Sequence, residues 1–117
     1  MKYNKILIAN NKQYKVYFTD DSNERKKGLM ELENIPNDWG ILFHYDIADY
    51  YGIWMKNTKI PLDVVWINEN KIIVDKKTLY PNVEIVSYPK NKSKYILEVN
   101  ANTFVGKIGE NISLENI

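Results

Sequence analysis

Cysteine is absent from the 117 residues of this sequence, and its absence excludes several kinds of site. Disulfide bonds, thiolate nucleophiles and cysteine-based metal centres all need a side chain that the sequence lacks. Histidine occurs once, as His44, so a histidine-rich metal centre is excluded as well, and no serine or carboxylate forms a catalytic triad pattern with it. We therefore expect no metal ion, no cofactor and no catalytic residue.

An excess of charge of either sign is missing too. Sixteen Lys and Arg residues stand against fifteen Asp and Glu residues, which gives a formal net charge of +1. This balance creates no global field that would attract nucleic acid or an anionic membrane. Neither is therefore predicted as a partner.

Long hydrophobic runs are also absent. The apolar run nearest the N-terminus, residues 6–9, is too short for a signal-peptide core and for a membrane-spanning helix. As given, the sequence predicts a soluble cytoplasmic protein, or a virion component if a phage encodes it. The heavy use of Asn, Lys and Ile, which have AT-rich codons, fits an AT-rich bacterium or phage.

What the sequence does contain is a series of short segments that alternate polar and apolar residues, as half-buried strands do. The chain has room for one domain, residues 1–117, with one core. Eight or nine short strands indicate an all-β protein with a closed or double-layered architecture. The main predicted strands are residues 5–9, 13–19, 41–45, 62–67, 71–79, 83–88, 94–100 and 111–117.

The connections carry clear local signals. Asn10 and Asn11 tolerate positive φ and predict a hairpin between the first two strands. Capping side chains at residues 20–22, basic residues before Gly28 and the glycine itself predict one short helix near residues 22–30. We further expect a loop over residues 46–51 and a short helical turn over residues 101–109.

Residues 54–67, WMKNTKIPLDVVWI, interrupt the alternation with a polar group of residues around Pro61. If the strand after Pro61 is regular, Asp63 joins an apolar face, where an unpaired carboxylate would be costly. Asp63 should therefore bond to Lys56, Asn57, Thr58 or backbone N–H groups. One interpretation is a polar lock that holds a corner between two strands. The other is a shallow binding pocket lined by Lys56, Asn57 and Asp63.

Aromatic residues offer a further set of candidates, because nine tyrosines and three tryptophans could stack on a ligand. In a small β protein most such rings fill the core. Tyr50 and Tyr51 lie in a predicted loop and are the exceptions that we expect. The candidate binding residues are therefore Lys56, Asn57, Thr58, Asp63, Tyr50 and Tyr51.

Four segments, in order, resemble the DUF192 family, also called UPF0127: ERKKGLM, WGILF, WMKNTKIPLDVVWI and KYILEVNANTFVGKIGENI. The resemblance spans about residues 19–112, with the Trp54–Asp63 signature as its most specific part. Ile41 replaces the usual methionine, and Glu110-Asn111 stands where relatives continue with Gly-Asp. The resemblance implies a compact β-sandwich or barrel of jelly-roll type. It implies no activity, since the family's function is unknown.

Two functional hypotheses follow. The first is a non-enzymatic binding or interaction module, with protein partners or further copies of itself, in a larger assembly such as a phage particle. It requires an exposed group of apolar side chains. The alternative is a ligand-binding domain, or an enzyme acting on a small molecule or saccharide, that uses the polar pocket and Glu98. It requires Lys56, Asp63 and Glu98 to converge in a concavity.

Overall fold

A computed structural model describes residues 2–117 and confirms that the chain is mainly β. Within these residues, no helix is long and apolar enough to span a membrane. The elements are β1 (Lys5–Ala9), β2 (Lys12–Thr19), α1 (Ser22–Lys27), β3 (Trp39–Asp49), β4 (Leu62–Ile67), β5 (Ile73–Leu79), β6 (Ser93–Asn100) and β7 (Ile112–Asn116).

The strands form one seven-stranded sheet in the order β5-β4-β6-β3-β2-β1-β7. Every neighbouring pair is antiparallel except β2 and β3, which run parallel. The two edges of the sheet approach each other at one end only, where Ile72 and Asn111 form an isolated bridge. The sheet therefore does not close, and the expected sandwich or jelly-roll barrel fits it loosely.

The hairpin and the helix form for the reasons that their sequences indicate. Asn10 and Asn11 have φ of 47° and 64°, the left-handed conformation that a two-residue hairpin turn needs. The Asp21 carboxylate accepts a hydrogen bond from the backbone N–H of Glu24 at 2.9 Å and so caps α1. Gly28, with φ of 50°, ends it. Both predictions are confirmed.

Apolar side chains cover both faces of the sheet. On one face, β1, β2, β4 and β6 meet in a core that includes Leu7, Val16, Val65 and Leu97. On the other face, the central strands β3, β4 and β6 pack against α1 and the loops after it. All six residues of β4 are buried because the strand has a core on each side.

Three predicted segments differ in the structure. β3 continues to Asp49 through the predicted loop, since pairing with β6 resumes at Asp49 after an irregularity. Residues 83–88 are not a strand of the sheet, because they lie against residues 53–55 with one bridge, between Ile53 and Ser87. Residues 101–109 contain turns and no helix.

Candidate functional site

Asp63 is 8% exposed and lies on β4. One carboxylate oxygen accepts hydrogen bonds from the backbone N–H groups of Thr103 and Phe104, at 3.1 and 3.0 Å. The other accepts one from the Thr78 hydroxyl at 2.7 Å. The prediction that backbone N–H groups would pair with this carboxylate is confirmed. These bonds hold the segment after β6 against β4 and β5.

The other predicted partners of Asp63 were wrong. Residues 54–58 are not extended, because the chain turns at Asn57, which has φ of 56°. Lys56 and Asn57 are exposed, and the Lys56 ammonium group lies 5.3 Å from the centre of the Trp54 ring. Thr58 is buried, and its hydroxyl donates to the Lys56 carbonyl. The structure therefore does not bring Lys56, Asn57 and Asp63 together in one pocket.

The two predicted loop tyrosines have different surroundings. Tyr51 stacks on Tyr45, with ring centres 3.6 Å apart, and its hydroxyl donates to the Ile47 carbonyl. Tyr50 is 49% exposed, so its ring remains accessible. Of this pair, Tyr51 has structural contacts and Tyr50 is free to contact a ligand or partner.

The main concavity is a groove of about 820 Å³ between α1 and the segment of residues 52–58, which we call the Glu98 groove. Its residues come from α1, β3, β6 and two loops. They are Ser22, Asn23, Arg25, Lys26, Lys27, Gly28, Leu29, Met30, Tyr45, Gly52, Ile53, Trp54, Thr58 and Glu98.

Glu98 lies in the groove on the central strand β6, between Ile41 of β3 and Val64 of β4. Its side chain is 5% exposed, and its carboxyl group makes no hydrogen bond or ion pair with residues 2–117. An ionised carboxylate is unfavourable in such surroundings. Burial raises the pKa of Glu98 to about 7. This group can therefore hold or release a proton near neutral pH.

Gly28 leaves the Glu98 carboxyl accessible from the side of the helix. A β-carbon at position 28 would lie 3.5 Å from the Glu98 Oε1 atom and 3.5 Å from the Phe43 ring. The glycine thus both ends α1 and keeps this corner of the groove open. Sequence alternation places Glu98 on the same face as Ile96, but it does not show that the carboxyl lacks a partner.

Tyr45 and Arg25 form one end of the groove. The Arg25 guanidinium lies 4.6 Å from the centre of the Tyr45 ring, and it donates to the carbonyls of Asp20 and His44. Burial raises the pKa of Tyr45 to about 12, an effect that the positive charge of Arg25 partly opposes. Tyr45 is therefore a neutral side chain at physiological pH.

The two walls of the groove differ in chemistry. Arg25, Lys26 and Lys27 give the α1 wall three positive charges, and none of them forms a salt bridge within the described part of the chain. The opposite wall carries the indole of Trp54, which is 43% exposed. A basic wall, an aromatic wall and a buried carboxyl are the elements of a site for a small polar ligand.

Next to the aromatic wall lies a group of exposed apolar side chains, Val83, Ile85, Val86 and Tyr88, which we call the apolar strip. Ile85 is 83% exposed and Tyr88 is 59% exposed. Val86 and Tyr88 both lie over Gly52, where a β-carbon would be only 2.4 Å from the Val86 side chain and 2.7 Å from the Tyr88 ring. The strip therefore adjoins the Glu98 groove along residues 52–54.

Comparisons with known proteins bear on the whole chain. The model of the DUF192 family, described as an uncharacterized ACR, matches residues 5–113. A search of curated proteins finds no significant match. One similar crystal structure, from Sinorhizobium meliloti, is provisionally described as a transcription regulator. It is 26% identical, with a TM-score of 0.87 over 97% of this chain and 95% of that one.

A second similar structure is a protein of unknown function from Novosphingobium aromaticivorans. It is 21% identical, with a TM-score of 0.83 over 94% of this chain and 83% of that one. At this identity the similarity extends to the fold alone.

Proposed function

The chain belongs to the DUF192 family, and we propose that it is a non-enzymatic interaction module that binds a protein partner through the apolar strip. The observation that carries this proposal is the exposure of the strip. Four neighbouring apolar side chains within six residues are each between 37% and 83% exposed. Burying one such side chain contributes roughly 1.5–3 kcal/mol to association, so an exposed group of them favours an interface.

The backbone of the strip supports the same proposal. Residues 83–88 have the composition of a strand, yet only Val83 and Ser87 bond to the neighbouring segment, through Met55 and Ile53. Glu84, Ile85 and Val86 make no backbone hydrogen bonds within the described residues. Free backbone groups beside apolar side chains form a template on which a strand of another chain can be added.

We propose a second copy of this chain as the partner. Two copies of residues 83–88 can pair antiparallel around a twofold axis, since each copy would supply the strand that the other lacks. Such a dimer would bury Ile85 and Tyr88 of both chains. The assembled protein would then serve as an accessory or structural component of a larger assembly, in a bacterium or in a phage particle.

The test is the mass of the protein in solution, measured by sedimentation equilibrium over a range of concentrations. We expect a dimer that Ile85→Lys converts to a monomer. Ile108→Lys is the matched control, because Ile108 is also exposed (53%) but lies in the turn before β7. A monomer at all concentrations, or a dimer that tolerates Ile85→Lys, would contradict the proposed pairing.

The description of the Sinorhizobium meliloti protein suggests a role in transcription, and we do not adopt nucleic-acid binding for this chain. The net charge of +1 supplies no general attraction to phosphate groups. A regulatory role through protein contacts agrees with the apolar strip.

The Glu98 groove favours a second candidate function, the binding of a small ligand. The alternative that joined Lys56, Asn57 and Asp63 in one pocket loses its support, since Asp63 is bonded to the protein's own backbone. Glu98 is the one residue of that hypothesis that lies in the large concavity without a partner.

A further inference from the structure

The most informative feature of the Glu98 groove is that its buried carboxyl has no partner inside the protein. Glu98 is 5% exposed, and its strand neighbours on both sides are aliphatic, Ile41 and Val64. A buried carboxyl without a hydrogen bond costs free energy that a ligand can recover by donating one. The groove is therefore suited to a ligand with an N–H or O–H group.

The helix wall adds a second requirement for the ligand. Arg25, Lys26 and Lys27 line the groove, and they have no acidic partner among residues 2–117. A cationic ligand would be repelled by these three charges, whereas a carboxylate would be attracted by them. The arginine is held by its bonds to the Asp20 and His44 carbonyls, so its position is fixed in advance.

The opposite wall favours a ligand with an apolar or aromatic part. Trp54 is 43% exposed beside the groove, and the side chains of Leu29, Met30 and Ile53 also line it. A ring that lies against the indole would gain apolar contact while the polar end of the ligand remains near Glu98 and α1.

We propose that the Glu98 groove binds a small organic carboxylate with an N–H or O–H donor next to its carboxylate group. The donor bonds to the carboxyl of Glu98, and the carboxylate pairs with the basic residues of α1. Trp54 contacts the apolar part of the ligand. This site is independent of the apolar strip, so either can exist without the other.

Three probes separate the two polar requirements. N-acetylphenylalanine has the carboxylate, the N–H donor and a ring. N-acetylphenylalanine amide lacks the negative charge, and 3-phenylpropionate lacks the donor. Binding is measured by NMR, from shifts of the backbone N–H signals of Gly28 and Gly52 and of the Trp54 indole N–H. The Trp66 indole N–H, which donates to the Tyr51 carbonyl at 2.8 Å, serves as an internal reference.

We expect saturable binding of N-acetylphenylalanine with a Kd on the order of 1 mM. The two incomplete probes should each bind roughly fivefold to tenfold more weakly, because each lacks one polar contact. Absence of saturable shifts with N-acetylphenylalanine, or equal affinity for all three probes, would overturn the proposal.

Two variants test the residues. Glu98→Leu keeps an apolar side chain in an apolar position, so it should fold, and it should lower the affinity for N-acetylphenylalanine to that for 3-phenylpropionate. Lys26→Ala with Lys27→Ala should weaken both carboxylates about equally and leave the amide unchanged. The matched control is Lys90→Ala with Lys92→Ala, two exposed lysines that do not line the groove. Wild-type affinity in the Glu98→Leu variant would overturn the assignment of the site.

Discussion

Asp63 and Glu98 are two buried carboxylates on adjacent strands, and their surroundings differ. Asp63 faces the core that contains Val65, and three donors surround its carboxylate. Glu98 is packed no less tightly, at 5% exposure against 8%, yet no donor in residues 2–117 reaches it. Burial therefore does not distinguish a structural carboxylate from a functional one. The inventory of hydrogen-bond partners does.

The largest effect that would test this comparison is the loss of Asp63. Asp63→Ala would leave the backbone N–H groups of Thr103 and Phe104 without their acceptor. We expect the free energy of unfolding to fall by about 3–5 kcal/mol, the usual cost of breaking a buried charged network. Urea denaturation measures it. A loss below about 1 kcal/mol would show that Asp63 is not the lock that its bonds indicate.

Glu98 should respond in the opposite direction, because its folded-state pKa of about 7 is raised above the ordinary 4.5. Between these two values the folded protein holds a proton that the unfolded chain releases. The free energy of unfolding should therefore fall as the pH rises from 5 to 8, by up to about 3 kcal/mol.

Glu98→Gln removes this proton equilibrium, so the variant should be more stable than the wild type at pH 8. The two proteins should differ much less at pH 5. Urea denaturation at both pH values measures the effect. Equal pH dependence in the two proteins would mean that Glu98 is ionised and paired in the folded state, which would abolish the contrast with Asp63.

The smallest expected effect concerns Gly28. Gly28→Ala should cost about 1 kcal/mol, since φ is 50° there, and its methyl group would sit 3.5 Å from the Glu98 Oε1 atom. Gly109→Ala is the matched control, because Gly109 also has positive φ, of 94°, but nothing lies near its β-carbon position. Both variants should lose similar stability by urea denaturation, and only Gly28→Ala should weaken N-acetylphenylalanine. Equal binding by the two would place the ligand away from Glu98.

Local sequence signals predicted the elements whose causes are local. Asn10 and Asn11 predicted the hairpin, and Gly28 the end of the helix, because backbone conformation at those positions depends on the residues themselves. The need of Asp63 for backbone donors also followed from alternation along β4. Which donors it finds did not, since Thr103 and Phe104 are 40 and 41 residues away.

The candidate site was less predictable for the same reason. Lys56 and Asn57 are close to Asp63 in sequence, but the turn at Asn57 leaves them exposed and apart from it. The Glu98 groove joins a helix, two strands and two loops that are distant in sequence. The absence of a partner for Glu98 is a property of this three-dimensional arrangement, and alternation along β6 shows only which face the residue occupies.

The most direct test of the difference between the two carboxylates is NMR titration of the side-chain carboxyl carbon of Glu98. The account predicts a pKa of about 7 in the free protein, which decreases when N-acetylphenylalanine is added, because the donor stabilises the ionised form. A pKa near the ordinary 4.5 that the probe does not change would contradict it, since Glu98 would then already have a partner within the protein.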